Sequence, residues 1–179
     1  MILLLLDFDR TVFNLSRFLH DEANASLALD YLFEDAGRLL GALPENVTPA
    51  IISQATIIGE DLQGGVDWQH HKFAFAPALA DLPFCVTTMN KGFVLAAGVT
   101  IVRDGELAVD AGPIQGTYEE IILIDDNAAS FKPLIASNSQ IAMYHLARPG
   151  EKYSDKPATA SVGRITSLDE AQSILLAKP

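Results

Sequence analysis

Ile2-Leu3-Leu4-Leu5-Leu6-Asp7-Phe8-Asp9-Arg10-Thr11 is the stretch on which the reading of the chain turns. Five consecutive aliphatic residues stop at two aspartates separated by one residue. A run this short and this uniformly apolar suits a strand buried on both faces, as in the parallel sheet of an α/β protein. In open α/β sheets ligands bind in the crevice beyond the carboxyl ends of the strands, which is where Asp7 and Asp9 would stand. Aspartate also ends strands through turn chemistry alone. Two further apolar runs weigh against that bland explanation: Ile121-Ile122-Leu123-Ile124 ends in Asp125-Asp126, and Phe84-Cys85-Val86 ends in Thr87-Thr88. Three such strand ends in one chain are hard to attribute to turns.

These residues carry a resemblance. Asp7-Phe8-Asp9-Arg10-Thr11 resembles the first motif of the haloacid dehalogenase-like phosphohydrolases, in which two aspartates flank one residue and Gly-Thr usually follows. Thr87 resembles the second motif, a hydroxyl closing an apolar strand, and Asp125-Asp126 the fourth, an acidic pair after another strand. The resemblance implies a Rossmann-like, three-layer α/β/α fold with a parallel sheet, and a helical cap inserted after the first strand. Residues 1–14 and 81–179 would form the core and 15–80 the cap. It further implies a Mg2+-dependent phosphomonoester hydrolase that passes through an aspartyl-phosphate on a small phosphorylated metabolite. Asp7 would be the nucleophile, Asp9 the acid and base, and Thr87, or its neighbour Thr88, a donor to phosphate. The metal would be held by Asp7, Asp126 and the backbone carbonyl of Asp9, with Asp125 direct or through water.

The chemistry suits these residue types. Phosphoryl transfer asks for a nucleophile, a proton carrier, groups on the equatorial oxygens and a cation to neutralise phosphate charge. Mg2+ prefers oxygen ligands and few of them from protein, and acids crowded at a buried edge repel one another unless a cation is shared. Helix capping is the competing explanation for Asp125-Asp126. Arg10, standing where the motif usually has Gly, is either an extra cation near phosphate or an ordinary surface charge.

The family's third motif is a lysine ahead of the acidic pair, and no Lys or Arg occurs between residues 104 and 124. Lys91 is the candidate for that role, with Lys132 and Arg103 as rivals. The gap supports a second reading, a catalytically degenerate protein that keeps the fold as a binding or interaction module. A response-regulator receiver domain fits less well, because there the acidic pair follows the first strand.

The chain has 179 residues, enough for one domain with a substantial core; 49% are hydrophobic and 20% charged, which argues against disorder. A net charge of −11 disfavours nucleic acid and makes a cation necessary for phosphate. The lone Cys85 falls in an expected strand and suits a reducing compartment. No run reaches the roughly 20 residues of a membrane span, and the apolar start is too short for a signal sequence. We expect a cytoplasmic protein.

Between the first strand and Thr87 the spacing reads as helical. Apolar residues from Leu15 to Leu40 recur every three or four positions, giving one long helix or two, stopped at Gly41. Thr48-Pro49 reads as a helix start, continuing through Ile51, Ile52, Ala55 and Ile58 and broken by Gly64-Gly65. Another helix runs through Trp68, His71, Phe73, Phe75 and Leu79. Adjacent His70 and His71 point about 100° apart on a helix, so they form no natural chelate; His71 would face the core and His70 solvent. Trp68 reads as packing, and His20 and His145 have no nearby partner in sequence.

Beyond Thr87 we expect a helix over Phe93–Ala97. Thr100-Ile101-Val102 and Leu107-Ala108-Val109 would pair as a hairpin around Asp104-Gly105, and a short helix would fall near 128–134. A strand at 141–146, a loop over 148–163 and a last helix opened by the capping box Ser167-Leu168-Asp169-Glu170 complete the chain.

Overall fold

In the computed structural model, which describes residues 1–21, 30–55, 61–102, 105–153, 155 and 159–178, the opening run is strand β1, Ile2–Asp7, buried along its whole length. Alternation divides it between two cores. Ile2, Leu4 and Leu6 pack on one side, and Leu3 and Leu5 on the other. Each fully buried leucine contributes about 2 kcal/mol of transfer free energy, so the strand anchors both layers. Its neighbours are β2 (Val47–Gln54) and β7 (Glu120–Asp125), both parallel to it. With β3 (Phe84–Thr87), β8 (Ala142–Leu146) and β9 (Gly163–Ile165) they form a six-stranded parallel sheet in the order β3-β2-β1-β7-β8-β9.

Helices cover both faces, as the expected α/β architecture requires. The face holding Leu4 and Leu6 packs Ala36 and Leu39 of α2 (Glu34–Gly41) and Leu168, Ala171 and Leu175 of α6 (Leu168–Leu176). The Leu3 and Leu5 face packs Leu95 of α4 (Lys91–Gly98) and Leu134 of α5 (Lys132–Ala136). Half of the capping box forms: Ser167 Oγ accepts from the Glu170 amide at 3.4 Å, while the Glu170 carboxylate accepts from the Thr166 amide at 3.3 Å.

The expected hairpin forms as β4 (Val99–Ile101) against β5 (Leu107–Ala111), with Thr100 opposite Ala108; its turn residue Asp104 lies outside the described residues. A strand the sequence reading omitted, β6 (Ile114–Tyr118), pairs with β5 across a turn in which Gly112 has φ 64. The three strands form a separate antiparallel sheet whose Leu107, Val109 and Ile114 join the second core. Strand β9, which the sequence reading omitted, begins at Gly163, where the expected loop ends.

The segment between β1 and β3 departs from expectation. Helices α1 (Leu15–Asp21) and α2 are separate, with residues 30–33 non-helical; Ala23, Leu27 and Leu29 lie outside the described residues. The helix expected from Thr48-Pro49 is strand β2 (its predicted end, Ile58, also lies outside). The stretch assigned to a helical cap therefore supplies an interior strand of the sheet. Val47, Ile51 and Ile52 are β-branched and buried, which favours a strand. Pro49 costs no ladder bond: its nitrogen faces the same side as Ile51, whose amide donates to Pro83, and β3 begins pairing only at Ile51. Gly64-Gly65, expected to break a helix, lies inside α3 (Leu62–Phe73), where Asp61 caps the Gly64 amide at 2.7 Å.

Candidate active site

Parallel pairing places Leu6 beside Ile124, so Asp7 and Asp125 leave the sheet at the same edge. Asp7, Asp125 and Asp126 each present a carboxylate oxygen within 4.8 Å of the others, and all three are buried. His145 fixes the backbone beneath them: its Nε2–H donates to the Asp126 carbonyl at 2.9 Å. Lys91 enters the cluster from the first turn of α4. It is ion-paired with Asp7 and lies 2.7 Å from Asp125 Oδ2. A Cβ on Gly92 would stand 2.0 Å from the Ser130 carbonyl oxygen, so glycine lets α4 start close enough for Lys91 to reach both acids.

Burial dominates the electrostatics. It outweighs the Lys91 ammonium and, with Asp125 and Asp9 nearby, pushes Asp7 up to about 7. Burial and then the charges of Asp7 and Asp125 push Asp126 up to about 9. Burial would lower Lys91, but the Asp125 and Asp7 carboxylates prevail and hold it above its ordinary range. When all three carboxylates are ionised they outnumber the one ammonium, and a divalent cation would balance the surplus that burial otherwise relieves by protonation.

These groups open on a cavity of about 340 Å³ lined by Asp7, Asp9, Arg10, Ser53, Lys91 and Asp126 among others. Arg10 adopts a left-handed φ of 63, uncommon for a residue with a side chain, and its Nε lies 3.5 Å from Glu151. The loop carrying it is fastened from behind. Arg148 donates to the Thr11 carbonyl at 2.9 Å and to Asp35 at 2.7 and 3.0 Å, while Asp35 also accepts from the Leu168 amide.

The expected site residues fall into two groups. Asp7, Asp125, Asp126 and Lys91 come together, and Asp9 lines the same cavity with its side chain outside the acidic cluster. Thr87 does not line the cavity. It closes β3, two strands from β1, and its hydroxyl is engaged with the amide and carbonyl of Met89 at 3.1 and 3.2 Å. The hydroxyl on the strand next to β1 is that of Ser53, which lines the cavity and was hidden by the helical reading of 48–58. Of the rivals to Lys91, Lys132 is exposed and Arg103 lies outside the described residues.

Two more residues were missed. Lys72 places Nζ 2.5 Å from each Asp9 oxygen, and Gln69 Nε2 donates to Asp9 Oδ2 at 3.1 Å and to the Gln54 carbonyl at 3.2 Å. Burial lowers Lys72 while Asp9 opposes it. These two side chains face inward on α3, whereas His71, expected to face the core, is exposed, as is His70. Their shared signature is spacing: Gly65, Gln69 and Lys72 make the buried stripe of α3.

Sheet order, the acid-tipped β1 and β7 and the cation-bearing helix after β3 define the haloacid dehalogenase-like fold. Solved structures bear this out. D,D-heptose 1,7-bisphosphate phosphatase from Burkholderia thailandensis superposes with a TM-score of 0.59 at 15% identity, over 99% of this chain and 100% of that chain. A protein from Burkholderia xenovorans LB400 described as a haloacid dehalogenase-like hydrolase gives 0.58 at 10% identity, over 97% and 95%. No family model matches the sequence, and no curated protein matches it. Among the described residues no helix is long and apolar enough to cross a membrane.

Proposed function

We propose that this chain is a Mg2+-dependent phosphomonoester hydrolase acting on a small phosphorylated metabolite through an aspartyl-phosphate on Asp7. The observation that carries the reading is the convergence of Asp7, Asp125 and Asp126 around Lys91 at the carboxyl edge of the sheet. The donor set fits Mg2+: hard oxygen ligands, a surplus of negative charge, and a buried Asp126 Oδ2 without a hydrogen-bond partner. Asp7, Asp126 and the Asp9 carbonyl would hold the ion, with Asp125 beside them; its charge offsets repulsion between carboxylate and phosphate.

The rest of the chemistry belongs to the chain. An Asp7 oxygen attacks phosphorus as the bond to the leaving oxygen breaks, and Asp9 supplies the proton that the leaving oxygen takes. Lys91 keeps Asp7 oriented and, with the Ser53 hydroxyl, donates to phosphate oxygens. Asp9 then takes a proton from the water that releases phosphate from Asp7. The degenerate reading rested on the missing cation ahead of the acidic pair; the Lys91–Asp7 ion pair supports the catalytic reading instead.

Hydrolysis of 4-nitrophenyl phosphate with Mg2+, compared between wild type and Asp7→Asn, tests this. Turnover lost in the variant supports it. A folded wild type inert toward a broad panel of phosphate esters overturns it in favour of a binding role.

A further inference from the structure

Lys72 is 2% exposed, yet it stands outside the acidic cluster. Its one ion-pair partner among the described residues is Asp9, whose two oxygens it meets at equal distance. An ammonium taken out of water is costly unless a carboxylate and hydrogen bonds compensate, and a leucine or methionine would fill the same space without that penalty. One turn earlier on the same face, Gln69 adds a donor to Asp9 Oδ2 and ties the group to Gln54, the residue after Ser53. Asp9 borders the cavity; Lys72 and Gln69 do not. The carboxylate is therefore gripped on both oxygens by a helix that does not itself border the cavity.

We propose that Lys72 and Gln69 are positioning residues that set the Asp9 carboxylate for the water-activating half of the reaction. The inference rests on the phosphohydrolase reading above. In that half-reaction the water oxygen forms a bond to phosphorus while the bond from phosphorus to Asp7 breaks. The water proton passes to Asp9, so that inorganic phosphate leaves and the Asp7 carboxylate is restored. Asp9 has to present a lone pair toward the cavity at that moment. Without its two anchors on α3 the side chain is free to rotate to other staggered positions, and the water loses its acceptor.

Rapid mixing of the Mg2+-loaded enzyme with 4-nitrophenyl phosphate separates this from a general lesion, because nitrophenolate leaves without needing a proton from Asp9. In Lys72→Met we expect a burst of about one nitrophenol per active site followed by a steady rate lowered roughly tenfold or more. Since kcat/KM reports the steps up to phosphorylation of Asp7, KM should fall alongside kcat and their ratio stay within about threefold of wild type. Lys72→Arg should recover most of the steady rate. Gln69→Leu, which keeps the lysine and tests the idea if Lys72→Met does not fold, should show the same burst with a loss of about threefold. An unchanged kcat in a folded variant, or a fall in kcat/KM matching that in kcat, overturns the proposal and leaves the hydrolase reading standing. A wild type inert toward all phosphate esters overturns both.

Discussion

Replacing Lys91 with methionine removes one charge from between two buried carboxylates and keeps most of the side-chain volume. Lys91 and Asp7 side chains are each 5% exposed and Asp125 is 0% exposed, so solvent does little to replace the lost ammonium. Breaking a buried pair by deleting one partner costs about 3–5 kcal/mol. At about 2–4 °C per kcal/mol for a chain of this size, the melting temperature should drop by roughly 10 °C at neutral pH without divalent cations.

The size of that drop should depend on pH in a definite direction. Asp7 is already raised from 3.8 to about 7, and loss of Lys91 raises it further. A folded carboxyl with a raised pKa binds a proton that the unfolded one has given up. Its burden is therefore absent below the unfolded value and grows as pH climbs through the folded one. The gap between variant and wild type should be small near pH 4 to 5 and widen toward pH 8. Urea denaturation followed by circular dichroism at both ends of that range measures it. A loss below about 1 kcal/mol at neutral pH, or one that does not change with pH, would refute the assignment of Lys91 as the counter-charge of the acidic cluster.

Three further outcomes are expected. In wild type without divalent ions, the raised values of Asp7 (about 7) and Asp126 (about 9) should make stability fall as pH rises from about 4 to 9; millimolar Mg2+ should raise the melting temperature more at about pH 8 than at about pH 5, because binding displaces protons. Ser53→Ala should weaken competitive inhibition by inorganic phosphate about tenfold, whereas Thr87→Val, whose hydroxyl is already engaged with Met89, should change it less than about twofold. Asp35→Asn should cost about 2 kcal/mol in urea denaturation, because Arg148 keeps its bond to the Thr11 carbonyl and loses its carboxylate.

What the sequence discloses and what it hides follow from period and burial. Strands β1 and β7 are legible because an apolar run buried on both faces has no competing pattern at that length, and their acids mark the edge where the run meets the cavity. Lys91 is legible through chemistry, as the cation soon after the β3 strand end, since no Lys or Arg occurs between residues 104 and 124. Strand β2 is not, because Thr48-Pro49 is an equally good helix start in isolation; only the register with β3, a contact distant in sequence, shows that Pro49 loses no ladder bond. Ser53 was lost with it. Gln69 and Lys72 escaped for a different reason: amphipathic analysis takes the apolar residues of a helix as its buried face, and on α3 the buried face is polar.

The position of β2 has a practical corollary. A chain shortened by excising residues 15–80, in the belief that a detachable lid was being trimmed, would draw out the plank between β1 and β3 and take with it the seryl wall and both anchors of Asp9. Protein engineers seeking a minimal version, or a site for a circular permutation, would do better at the β5–β6 hairpin. With β4 it forms a separate small sheet, and a Cβ added at Gly112 in its turn would meet nothing within 4 Å.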